Sequence, residues 1–204
     1  MKILRKLYDW VLHWANTPYG PTALFVLSFA EASFFPIPPD ALLIALVLGS
    51  QKKAFKFAFI CTVASVTGAL AGYGIGHFLW WTIDHQFSPV ADFFFSNVPG
   101  FTHKLFYDVK KLYDEWNFWI IFTAGFTPIP YKVFTVTGGA FEINILMFVI
   151  ASIISRAGRF FIVAALIWKY GEQIKTFIDK YFNWLAFAFT ALLIGGFAVI
   201  KYLI

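Results

Sequence analysis

Twice in this chain a Pro-x-Pro sequence falls inside an apolar stretch. Pro36, Pro38 and Pro39 interrupt residues 22–50, and Pro128 and Pro130 interrupt residues 117–141. Proline removes a backbone donor and bars the residue before it from helical geometry. A helix through either stretch must therefore stop and restart. In lipid, the backbone groups freed at such a break must be buried in protein or face a water-filled cavity.

The surroundings of the two breaks argue for lipid. Of 204 residues, 60% are hydrophobic, 13% are charged and 22% are aromatic, with 27 Phe and 8 Trp. Soluble domains run near about 45–50% apolar and about 25% charged. Three further apolar stretches, 54–81, 144–168 and 181–203, are long enough for ordinary spanning helices. Residues 1–17 place Lys2, Arg5, Lys6, Asp9 and His13 opposite Ile3, Leu4, Leu7, Val11 and Trp14. That pattern predicts a retained amphipathic helix in the membrane interface rather than a cleaved signal.

Pro36 and Pro128 lie 92 residues apart, and Pro36-Ile37-Pro38 matches Pro128-Ile129-Pro130. Each break is followed by about ten apolar residues, a polar turn and a spanning stretch. If each broken segment is re-entrant, each repeat crosses the membrane once and the two repeats are inverted, a transporter signature. The expected fold is thus an all-α integral membrane protein, a single membrane domain over 1–204. It divides into the interfacial helix, repeat 1 over 22–81, an interfacial segment over 84–116, repeat 2 over 117–168 and a C-terminal span over 181–203.

Basic residues agree with this topology. One side would carry Lys2, Arg5, Lys6, Lys52, Lys53, Lys56, Lys169, Lys175 and Lys180, and the other Lys104, Lys110, Lys111 and Lys201. The richer side is expected to be cytoplasmic. The net charge of +5 is therefore assigned to topology, and no nucleic-acid partner is expected. In the interfacial segment Leu105, Phe106, Val109, Leu112 and Trp116 form an apolar stripe that would lie on the membrane or bind a partner.

Glu31, Asp40, Lys132, Arg156 and Arg159 lie inside the apolar stretches. Two central arginines cost about 5–7 kcal/mol on insertion scales, while the apolar residues of 145–167 supply roughly 4–8 kcal/mol. That span is marginal unless both arginines face a polar partner. Arg156 and Arg159, at i and i+3, share a helix face, with Ser152 and Ser155 one turn earlier. Two planar guanidiniums beside hydroxyls suit a phosphate group. Alternatively the arginines pair with Glu31 and Asp40 and hold the hairpins together. Asp40 follows Pro39 and could anchor a helix start. Glu31 has no such local role and is expected, with Asp40, to carry a proton. Lys132 occupies the corresponding part of the second hairpin and is expected to bind substrate or snorkel. Gly68, Gly72 and Gly76 predict close helix packing. No cofactor or metal is expected, because no ligand pattern, Walker loop or nucleophile elbow appears.

The segment from Glu31 to Asp40, with its three prolines, resembles the first re-entrant motif of the DedA family (VTT-domain or SNARE-associated membrane proteins). The segment from Gly125 to Gly139, with Pro128, Pro130 and Lys132, is similar to the second, particularly in the YqaA-like branch. The likeness covers about residues 20–168. It implies a bacterial inner-membrane protein with inverted re-entrant hairpins; with the basic residues above, a multi-pass chain with a cytoplasmic N-terminus is expected, and a homo-oligomer is a further expectation. It also implies proton-linked transport or scrambling of a phospholipid or polyprenyl phosphate in envelope homeostasis, with Glu31 and Asp40 at the family's essential acidic positions. The main branch carries arginines three residues before and three after the second hairpin's proline, where this chain has Gly125 and Tyr131. Arg156 and Arg159 are available to supply that charge. The expected function is therefore a lipid-phosphate transporter or flippase and not an enzyme. A non-transporting membrane-biogenesis scaffold is the alternative. A lipid phosphatase fits less well, because the histidine pair that reaction needs is absent.

Overall fold

The computed structural model describes residue 14, residues 17–35, 38–127 and 129–171, and residue 173. Most of the amphipathic helix expected over 1–17, the span expected over 181–203, and the prolines Pro36 and Pro128 lie outside the described residues. Among the described residues the chain is all-helical. It has seven α-helices and no strand beyond an isolated bridge between Trp81 and Phe87.

Helix α1 covers Gly20–Ser33, with Pro21 in its first turn, where a missing N–H costs nothing. It ends just before the first break, where the amides of Phe34 and Phe35 both reach the Ala30 carbonyl. Helix α2 covers Asp40–Gly49 and restarts directly after Pro39. A single 3-10 turn, Gln51–Lys53, leads into α3, Ala54–Trp80. Ser88 caps α4, Pro89–Asn97, by accepting from the Ala91 amide at 3.2 Å. Thr102 caps α5, His103–Phe126, in the same way through Leu105. Helix α6, Tyr131–Ala140, starts after Pro130, and Asn144 caps α7, Ile145–Tyr170.

Two segments are long and apolar enough to cross a membrane: Gln51–Trp80, 30 residues, and Ile145–Tyr170, 26 residues. Helix α2 is apolar but, at 10 residues, too short to span. Large apolar side chains are exposed along α3 (Phe55, Phe59, Val63, Phe78) and α7 (Leu146, Ile150, Ile153, Ile162, Leu166).

Helix α3 packs on α1, α6 and α7, while α7 also packs on α5 and α2. The glycine stripe makes the first of these contacts possible. A side-chain carbon at Gly68 would overlap the Phe29 backbone, one at Gly76 the Val136 carbonyl, and one at Gly139 the Tyr73 carbonyl. Gly72 lies where α1 and α6 meet, against Thr135 and the Ala32 carbonyl. Two cores result. One gathers Leu24, Leu43, Val47, Ala58 and Phe160; the other gathers Ile121, Tyr131, Phe141 and Phe148.

Residues 103–126 are helical on both sides of a kink at Trp116 (φ −113°, ψ 15°), where the backbone leaves helical geometry and two helices meet. Along α5, Phe106, Tyr113, Ile121 and Ala124 are buried, while Leu112 and Trp116 are exposed. Tyr113 can be buried because its hydroxyl meets the Thr137 hydroxyl at 2.9 Å.

Candidate functional site

A helix broken inside a protein leaves carbonyls at its end without intrahelical partners. At the first break, the Ala32 carbonyl accepts from the Thr135 hydroxyl at 2.8 Å, and Lys132 Nζ lies 3.4 Å from the Phe34 carbonyl. Both donors come from α6, the returning half of the second hairpin. At the second break, the Thr127 carbonyl accepts from Arg159 Nη1 at 2.6 Å, and the Gly125 carbonyl accepts from Arg156 Nη1 at 3.5 Å. Those donors come from α7. Polar side chains from elsewhere in the fold thus meet carbonyls at each proline break.

The same arginines meet the two acids. Arg156 Nη2 donates to Glu31 Oε2 at 2.6 Å. Arg159 approaches Asp40 with two nitrogens, Nε to Oδ1 at 3.2 Å and Nη2 to Oδ2 at 2.8 Å, the fork geometry that carboxylates favour. Asp40 is the first residue of α2, an acid in that helix's first turn, and its carboxylate bonds Arg159.

The two pairs have different surroundings. The Arg156 side chain is 2% exposed, and its Nε donates to the Ser65 hydroxyl at 2.7 Å. Its guanidinium lies over the rings of Tyr131 at 4.9 Å and Phe160 at 4.7 Å, between the two cores. The Arg159 and Asp40 side chains retain 16% and 21% exposure. Ser152 accepts from the Tyr131 hydroxyl at 2.6 Å and donates to the Phe148 carbonyl. Ser155 donates back to Ala151 and lies against Gly125, where any side chain would collide with it. Both serine hydroxyls are therefore engaged locally. Among the prolines of the breaks, Pro39 is buried, and Pro38 and Pro130 are exposed.

The sequence therefore singled out Glu31, Asp40, Lys132, Arg156 and Arg159, and the fold brings the acids and arginines into contact. Ser65, Tyr131 and Thr135 were missed. Ser65 and Thr135 are small hydroxyl residues inside apolar helices, each three residues before a packing glycine, Gly68 and Gly138. That spacing was the available signal.

Arg156 lies 11 residues after the start of α7, and its partner Ser65 lies 11 residues after the start of α3. At 1.5 Å per residue this puts the cluster about 17 Å along each long helix, near its middle.

The chain is similar to an uncharacterized protein of Haemophilus influenzae, 32% identical over 202 residues that cover 98% of this chain and 100% of the relative. It is similarly related to the "Uncharacterized protein HI0703 homolog" of Histophilus somni, 33% identical with the same coverage. No family model matches. No solved structure matches either.

Proposed function

We propose a function for this chain, which belongs to the family of those two bacterial proteins: it is a multi-pass inner-membrane protein that carries a phosphate-bearing lipid across the bilayer. Support for membrane insertion comes from the two long apolar helices and the apolar side chains exposed along them. Support for an inverted repeat comes from the packing. Helix α3 contacts α1 and α6; α7, its counterpart, contacts α5 and α2, the counterparts of those two. The broken hairpins would then be re-entrant and meet near the bilayer centre.

The observation that carries the transport reading is Arg159. It joins the Thr127 carbonyl at one break to Asp40 at the other, and it is partly exposed. Intramembrane charges mark substrate or proton pathways. Glu31 and Asp40 would take up and release the proton, and Lys132 would supply a second positive charge. The DedA-like reading gains support at two positions. Arg156 lies against Gly125 and Tyr131, the places where that family carries arginine. Ser155 fills the space a side chain at 125 would need, so the charge comes from α7 instead.

A scaffold role has one observation in its favour: both acid–arginine pairs are closed, and the Arg156 pair is sealed. Reconstitution separates the two. Proteoliposomes should move a fluorescent short-chain lipid phosphate between leaflets, faster with a pH gradient, and Arg159→Ala should reduce the flux at least about tenfold. Flux no greater than in empty vesicles would leave the scaffold. Release of inorganic phosphate would point to the phosphatase.

A further inference from the structure

We propose that Asp40 is a built-in occupant of the anion site: its carboxylate holds the Arg159 fork that an incoming phosphate group takes over, while the Glu31–Arg156 pair stays closed during that binding step. The inference rests on the phosphate-binding part of the reading above. It adds which pair opens and what the ligand replaces.

Three observations carry it. A carboxylate and a phosphate present the same pair of acceptor oxygens to a guanidinium, so the two-nitrogen contact of Arg159 with Asp40 has the shape of the contact it would make with a phosphate. The Asp40–Arg159 pair is the more exposed, at 21% and 16%, against 12% and 2% for Glu31 and Arg156. Arg156 is almost fully buried, so opening its pair would leave its charge uncompensated inside the protein, whereas the partly exposed Arg159 keeps the Thr127 carbonyl when Asp40 leaves.

The charge balance agrees. Glu31 and Asp40 balance Arg156 and Arg159, and Lys132, at the Phe34 carbonyl, adds a positive charge with no ion-pair partner among the described residues. Removing the Asp40 charge raises the positive excess by one and takes away the competitor.

The test is titration calorimetry on the full-length chain in detergent micelles, with inorganic phosphate in one arm and a short-chain phosphatidic acid in the other. Asp40→Asn should bind at least one of them about tenfold more tightly than the unaltered chain, and Glu31→Gln no more than about twofold more tightly. The arm that gains identifies the source of the phosphate. Equal or weaker binding by Asp40→Asn in both arms overturns the proposal, as does an equal gain by Glu31→Gln. Asp40→Ser is the second variant. If neither Asp40 variant folds, the residue is a structural anchor and the proposal falls. Vesicle flux keeps the two ideas apart. A gain in binding without flux sinks transport and leaves displacement standing, whereas flux without a gain sinks displacement alone.

Discussion

Arg156 shows what a buried charge demands. Its guanidinium finds a carboxylate, a hydroxyl, a carbonyl and two ring faces, so each of its three nitrogens has an acceptor. Removing one member of such a pair leaves the other charged and stranded, at a cost of about 3–5 kcal/mol. Arg156→Met should therefore destabilise the protein by about that much in detergent unfolding experiments. Glu31→Met combined with Arg156→Met should recover at least half of the loss, because the stranded carboxylate goes too. If the double variant is as unstable as the single, the Ser65 and Gly125 contacts rather than the ion pair carry the stability. The sequence made these residues conspicuous because ionisable groups in apolar stretches are rare. It did not say which acid meets which arginine. Two acids and two bases allow two pairings, and only the packing of α1 and α2 around α7 decides between them.

Among the helices, closeness is decided by missing side chains. The α3–α6 contact is made where Gly76 meets Val136 and Gly139 meets Tyr73, backbone against backbone. Gly74, two residues before Gly76, faces open space. Gly76→Ala must push α6 away and should cost about 1–3 kcal/mol or more. Gly74→Ala should be neutral or stabilise by up to about 1 kcal/mol, as alanine is the better helix former. Thermal unfolding of the two variants side by side checks this, and equal behaviour would mean the contact is looser than the structure shows. The glycine stripe was legible in the sequence because its spacing of four residues repeats along one face. Which helices it meets was not. In α5, Lys104, Asp108, Lys111 and Glu115 give the first half the composition of a surface helix, while 117–126 reads as apolar. A polarity change along a helix marks a change of environment, and the backbone needs only the bend at Trp116 to follow it.

For the whole molecule, the proposed inverted arrangement draws its support from where the two turns sit. The turn after the first hairpin, Gln51–Lys53, begins α3, and Gln51 lies beside Gly171 just past the end of α7. The turn after the second hairpin, 141–144, precedes α7, and its neighbours are at the far end of α3. Trp81 Nε1 donates to the Ala140 carbonyl, and Tyr73 to the Ile143 carbonyl. The two turns are therefore separated by the length of α3, 27 residues or about 40 Å. That distance equals the thickness of a bilayer with its headgroups. If α3 crosses the membrane as proposed, the turns face opposite sides and the proline breaks meet between them. Single cysteines placed at Gln51 and Ile145, both exposed, can test this. The native thiol, Cys61, is fully buried, and Cys61→Ala removes it from the readout. In sealed right-side-out vesicles, an impermeant maleimide should label the cysteine at 145 and should reach the one at 51 only after permeabilisation. Labelling of both from one side would refute the inverted repeat, and with it the meeting of two hairpins at mid-membrane on which the transport proposal depends.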